Sequence, residues 1–299
     1  QTRDGAVWMG HSGGLIRYDP ATKALRHFPS GDGLGDTLRG AVRLLIQTRD
    51  GLLWSASYGS GIQARDESGK IIHQILADES KGLFLADPDQ FALSPDGQLW
   101  LATAKGLLRW TDDTEKFVGI DGSPKERVDA FSFLASDTLW VHRMGALEAF
   151  QWDGKSLASI KKISGDEGLP PVEVGSMLPD RSGNLWLTTT RGLLRYSALT
   201  QQFRMFGERD GLPSQEFNMQ PALMTQQGIA LVSTSNGLVV LDAARVRSQT
   251  LSSPLNVDRL TVRRGDDVVD FSSAASALQL MAGDRDFNIS LRLLSFADT

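Results

Sequence analysis

Gly10-His11-Ser12-Gly13-Gly14 sets a hydroxyl in the Gly-x-Ser-x-Gly order of a nucleophile elbow. That chemistry needs a strand-to-helix turn, plus a histidine and a carboxylate to activate the serine. The flanking residues read as two β-strands, which predicts a tight hairpin instead. Four histidines, His11, His27, His73 and His142, are the available imidazole ligands, and the chain has no cysteine to join them. They lie far apart in sequence and in non-equivalent strand positions, so the three or four convergent ligands of a zinc site are not expected. Asp87-Pro88-Asp89 and Asp112-Asp113 are acidic clusters without the remaining positions of a calcium loop, and they read as solvated turns. Gly31-Asp32-Gly33-Leu34-Gly35 lacks the Rossmann spacing, and no βαβ unit surrounds it. The expectation is no catalytic residue, no metal and no cofactor.

The elements that would have to position any such chemistry are repeats. Trp8, Trp54, Trp100, Trp140 and Trp186 are spaced 46, 46, 40 and 46 residues apart, and Leu231 continues the series 45 residues later. Each unit opens on a turn such as Asp50-Gly51, Asp96-Gly97 or Ser182-Gly183, where glycine supplies the turn conformation. A short apolar run through the tryptophan follows, then a second glycine (Gly14, Gly106, Gly192, Gly237) and a second strand such as Gly192-Leu193-Leu194-Arg195-Tyr196. Leu25 to Phe28, Ile71 to Leu76 and Gln202 to Phe206 read as third strands; Val42 to Ile46 and Val128 to Phe133 read as fourth strands. Four short strands in about 45 residues make the blade of a β-propeller. No segment holds a 3.6-residue apolar period over three turns, so helical alternatives fail. The tryptophans are expected in the core, stacking blade against blade. Ser94-Pro95-Asp96-Gly97-Gln98-Leu99-Trp100 is similar to the aspartate box of sialidases but one residue too short, and that box is structural.

The fold class expected is therefore all-β: a propeller of four-stranded blades over residues 1–250, with six units visible, and the first strands of a β-sandwich over 251–299. Phe287, Ile289, Leu291 and Leu293 alternate with Asn288, Ser290 and Arg292, a period-two strand with one apolar face. With 299 residues and 41% apolar content, the chain can bury a core without disulfides. Net charge is −5 and no basic run occurs, so nucleic-acid binding has no electrostatic footprint. No apolar stretch approaches the length of a membrane span.

Asp96-Gly97-Gln98-Leu99-Trp100 with Gly106-Leu107-Leu108-Arg109-Trp110, and residues 183–196, resemble the two-component regulator propeller repeat. Asp32-Gly33-Leu34, Glu167-Gly168-Leu169-Pro170 and Asp210-Gly211-Leu212-Pro213 resemble its inter-blade signals. Gly211-Leu212-Pro213-Ser214-Gln215-Glu216-Phe217-Asn218 is similar to the family's last blade, and Pro254 to Ala297 resembles the opening of the triple-tyrosine (Y_Y_Y) domain that follows it. Residues 140–150 depart from the repeat. The family usually closes seven blades, so six visible units imply a smaller ring or a further blade upstream. The resemblance implies the extracytoplasmic sensor segment of a transmembrane bacterial signalling protein, a hybrid two-component histidine kinase or a diguanylate cyclase. It implies a periplasmic or extracellular location on an inner-membrane protein, no catalysis in this segment, and room for a homodimer.

In a four-stranded blade, the turn between second and third strands shares a face with the inter-blade connections. On that face His11, Tyr58, Lys105, Arg143, Arg191 and Asn236 are the candidate ligand-binding residues. They vary in type while the strands stay alike, as loops on a fixed scaffold do. The partner expected is a small molecule, a saccharide among the candidates, or an envelope protein. Competing readings are an envelope interaction scaffold, and a propeller lyase or glycosidase, which would need convergent carboxylates.

Overall fold

The computed structural model describes residues 1–31, 35–77, 88–217, 222–225, 227–246, 255–271 and 280–293. It divides into two compact units, Gln1–Arg245 and Val246–Thr299. Asp87, Asn218, Pro254 and Ala297 lie outside the described residues.

The first unit is a succession of antiparallel sheets. Sheet one comprises β1 (Val7–His11), β2 (Gly14–Tyr18) and β3 (Leu25–Pro29). Sheet two comprises β4 (Val42–Gln47), β5 (Leu53–Ser57), β6 (Gly61–Arg65) and β7 (Ile71–Leu76). Sheet three comprises β8 (Gln90–Leu93), β9 (Leu99–Thr103), β10 (Gly106–Thr111) and β11 (Lys116–Gly119). Sheet four comprises β12 (Ala130–Phe133), β13 (Thr138–Arg143), β14 (Ala146–Trp152) and β15 (Leu157–Ile163). Sheet five comprises β16 (Val174–Pro179), β17 (Asn184–Thr189), β18 (Gly192–Ser197) and β19 (Gln202–Phe206). Sheet six comprises β20 (Leu223–Met224), β21 (Ile229–Thr234) and β22 (Gly237–Asp242). Within each sheet, strands pair in chain order, and β4, β8, β12, β16 and β20 lie in turn beside one another. That is blade geometry, with β4, β8, β12, β16 and β20 as the inner strands of sheets two to six. Two 3₁₀ turns, Gly165–Glu167 and Glu208–Asp210, are the helical elements of the described residues.

The repeat tryptophans are buried, and Trp54, Trp100 and Trp140 bridge neighbouring sheets. Trp54 meets Trp110 of sheet three edge-on at 4.7 Å, Trp100 meets Trp152 of sheet four at 4.9 Å, and Trp140 meets Tyr196 of sheet five at 5.1 Å. Edge-to-face contacts at such distances add to the area each ring buries. Two blade turns also fasten their own rings. The indole N–H of Trp54 donates to Thr48 Oγ1 (3.2 Å) and that of Trp186 to Asp180 Oδ2 (2.8 Å). In the aspartate-box-like segment the side chains serve the turn: Asp96 Oδ1 accepts from the Ser94 hydroxyl, and Ser94 Oγ accepts the Gln98 N–H at 3.0 Å.

The second glycine of each unit has a steric cause. Gly61 and Gly192 both have φ of +130°, and a Cβ there would overlap the carbonyl oxygen of Ile75 or Phe206 on the adjacent outer strand. In sheet four β13 pairs regularly with β14 even though that sequence departs most from the repeat, and β14 pairs with β15 through a register shift between Ala149 and Phe150. The sheet's inner strand starts at Ala130, two residues after the expected start.

In the second unit, β23 (Leu255–Arg264) pairs with β24 (Asp267–Phe271) on one side and with β25 (Asp284–Leu293) on the other. Arg264 clamps Asp284 through Nε (2.8 Å) and Nη2 (3.0 Å), which holds that carboxyl down to about 2.

Candidate functional site

The turns joining the second and third strands of successive blades are built by one local device. Thr103, Thr189 and Thr234 each end a strand; each hydroxyl accepts the backbone N–H two residues on and donates to the carbonyl three residues on. The residue two on is Lys105, Arg191 or Asn236, so the device holds its backbone while leaving its side chain exposed. In sheet one His11 takes the threonine's place, its Nδ1 accepting from the Gly13 N–H at 3.0 Å. The Gly-x-Ser-x-Gly residues therefore form a β-hairpin turn between β1 and β2, and Ser12 sits where Ala104 and Thr190 sit in other blades.

This construction splits the candidates into two registers. Lys105, Arg191 and Asn236 are turn residues; His11 and Arg143 are the last residues of their strands. Tyr58 is also in a turn, 52% exposed, and carries the Arg43 guanidinium 4.7 Å above its ring. The Arg191 guanidinium is exposed and makes no side-chain hydrogen bond or ion pair among the described residues. Arg143, in contrast, is committed. It grips the buried Glu148 through Nε (3.2 Å) and Nη2 (2.8 Å) and also pairs with Glu126. The Glu148 hydrogen bonds, ahead of every other cause, raise its pKa. Each of the six lies at or beside the turn between two strands of a different sheet.

Contrary to the expectation of separated histidines, His11 and His27 stack at 5.3 Å. β1 and β3 flank β2, each pairing with it antiparallel, which sets His11 and His27 at the same end of the sheet. His142 is 1% exposed, with Nδ1 3.3 Å from Asp129 Oδ2. Asp129 also pairs with Arg127, which bridges to Asp89. Sequence reasoning missed this Asp89–Arg127–Asp129–His142 cluster at the starts of two inner strands, and missed Arg43; no repeat signal marks them. Among the described residues no group of three or more histidines, cysteines or carboxylates could hold a metal. A cleft of about 400 Å³ is lined by Arg49, Asp50, Gln98, Trp110 and Asp112, and another of about 1000 Å³ flanks sheets one and two. Neither is lined by any of the six candidates.

Residues 168–191 match the model of the two component regulator propeller. A curated histidine kinase, P4 of Formosa agariphila, is 25% identical over 243 residues, covering 74% of this chain and 17% of the kinase. The extracellular domain of the hybrid two component system BT3049 from B. thetaiotaomicron superposes with a TM-score of 0.72 at 17% identity, covering 97% of this chain and 40% of that one. PorZ of Porphyromonas gingivalis, a surface component of the type-IX secretion system, superposes at 0.60 with 12% identity, over 96% of this chain and 48% of PorZ. The chain thus spans less than half the length of each of these three proteins. It is an all-β propeller protein with a two-component regulator propeller repeat at residues 168–191.

Proposed function

We propose that this segment is the extracytoplasmic sensor region of a membrane-tethered bacterial signalling protein, a hybrid two-component histidine kinase or a diguanylate cyclase. The observation that carries the reading is the 243-residue similarity to a histidine kinase, extending across the repeats. In this reading the propeller stands on the periplasmic or extracellular side, and residues 251–299 open a triple-tyrosine β-sandwich. A small molecule or an envelope protein binds the turn face presented by Tyr58, Lys105, Arg191 and Asn236, and the segment performs no catalysis. The exposed turns suit recognition, because the threonine device fixes the backbone while the projecting residue varies. No helix among the described residues is long and apolar enough to cross a membrane, so the reading requires a span elsewhere in the protein.

Sequencing the native gene on both sides tests it. About 20 apolar residues followed by a kinase or cyclase domain are expected. A gene with neither would overturn the sensor reading in favour of an envelope scaffold.

A further inference from the structure

The flank between sheets one and two holds a charge arrangement that the turn face does not use. Arg65, at the end of β6, is 0% exposed. Its guanidinium donates to the carbonyls of Gly35 (3.1 Å), Gly69 (2.8 Å) and Asp36 (3.0 Å) and to Gln63 Oε1 (3.4 Å), all uncharged acceptors. Its Nε is buried without a hydrogen-bond partner among the described residues. Burial pushes its pKa down, the charge of Arg26 adds to that, and the charge of Asp36 opposes both. A buried cation that relies on neutral acceptors leaves a positive field in its surroundings.

The cleft of about 1000 Å³ lies on that field. Its lining includes Gly35, Asp36 and Gly69, whose carbonyls hold Arg65, together with Arg26, Lys70 and Gln74. Arg26 is exposed, spends one N–H on the Ser68 carbonyl (2.7 Å), and sits 4.7 Å over the Phe28 ring; Arg65 lies 5.1 Å from the same ring. The exposed Lys70 ammonium has no ion pair among the described residues. Gln74 uses its Oε1 to accept from Gln63 Nε2 (2.8 Å), and its amide N–H groups have no acceptor among the described residues. The uncommitted groups of Arg26, Lys70 and Gln74 are therefore all donors. Two carboxylates are close: Asp36, and Asp66, which is occupied by Ser68 and the Lys70 N–H. Arg26, Arg65 and Lys70 stand against them on a chain whose net charge is −5.

We propose that this cleft is an oxyanion-binding site, taking a carboxylate or sulfate group through Arg26, Lys70 and Gln74 and drawing affinity from the buried Arg65 charge. Several donors converging on a recess backed by a desolvated cation, with three cations against two carboxylates, are what an oxyanion needs. The site does not depend on the sensor reading.

Calorimetric titration of the whole chain with sodium sulfate and with sodium acetate, at constant ionic strength in chloride, tests it. Saturable binding of at least one oxyanion is expected, weakened about tenfold or more in both Lys70→Gln and Arg26→Gln, as loss of one charge-assisted hydrogen bond implies. Lys155→Gln, a surface cation on sheet four, should bind as the unmodified chain does. Sulfate-only or acetate-only binding would tell which oxyanion geometry the cleft accepts and support the site in either case. Absence of saturable binding of both, or equal weakening by Lys155→Gln and Lys70→Gln, would overturn it. Both substitutions in the cleft are at exposed residues, so circular dichroism should report an unchanged fold.

Discussion

Arg49 shows how single side chains tie one blade to the next. Its guanidinium donates to the carbonyls of Pro95 (2.7 Å) and Asp96 (2.8 Å) in the turn of sheet three, while Arg3 donates to the Arg49 carbonyl at 2.6 Å. Each arginine thus reaches one blade ahead. Arg49→Ala is expected to destabilise by about 1–3 kcal/mol, because two carbonyls lose a charged donor at a partly exposed site. Arg49→Lys should recover only part of it, since one ammonium cannot match the planar fork. Urea denaturation of the three proteins would measure the difference, and equal stability of Arg49→Ala and the unmodified chain would refute the clasp. Arg143 and Arg191 divide by role. Arg143→Ala leaves the buried Glu148 with only Lys162 at 3.5 Å, so a loss of about 1–3 kcal/mol is expected. Arg191→Ala, at an exposed cation without partner among the described residues, should change stability by less than about 0.5 kcal/mol. Thermal melts of the pair decide whether their stabilising roles differ in this way.

At the scale of elements, the strands and turns were the legible part of the sequence. A tryptophan recurring every 46 residues is a signal that no single-blade accident produces, and the Asp-Gly and second-glycine turns marked the hairpins between. Gly192 shows why that second glycine recurs: φ of +130° and the Phe206 carbonyl exclude a Cβ. Gly192→Ala should therefore cost about 1–3 kcal/mol, the usual cost of a strained backbone position, and guanidinium unfolding would read it. The candidate site was legible only as positions. The sequence placed Lys105, Arg191 and Asn236 on turns, but it could not show that Arg143 is spent on Glu148, since residues five apart on adjacent strands meet only through the hairpin register Val141↔Glu148. Nor could it bring His27 beside His11. The arginine clasps did leave a trace, because Arg3 and Arg49 each stand two residues before a turn glycine. In the second unit the strand pair ends on an acid-sensitive clamp. Asp284 is held at about 2, against 3.8 for a free carboxyl, first by the Arg264 hydrogen bonds. Because the folded value is the lower one, its stabilisation is complete above 3.8 and is lost as pH falls towards 2. Asp284→Asn should flatten the acid side of the stability profile for the strands it joins, measured by hydrogen exchange over β23 and β25; an unchanged acid slope would exclude the clamp as its source.

Across the whole propeller, the question is whether damage at one blade interface stays local. Gln90, on the inner strand of sheet three, donates through Nε2 to the Phe131 carbonyl (2.9 Å) and accepts the Phe131 N–H at Oε1 (3.0 Å) on the inner strand of sheet four. One side chain thereby satisfies both backbone groups of a buried residue, in a place where each sheet's inner strand runs beside its neighbours. Gln90→Leu keeps most of the volume and strands both groups, so about 2–3 kcal/mol should be lost. For a unit of this size that lowers the midpoint by roughly 5–10 °C. Repeat architectures of stacked units can lose cooperativity at a weakened interface, because stability sums over neighbouring contacts. Here Trp54, Trp100 and Trp140 each reach into the next sheet, so sheets three and four remain fastened on both sides by rings that the substitution does not touch. A single transition at a lower temperature is therefore expected, with hydrogen exchange rising in all six sheets together. Faster exchange confined to sheets three and four would mean that the blades unfold as separate neighbours and that the tryptophan contacts do not couple them.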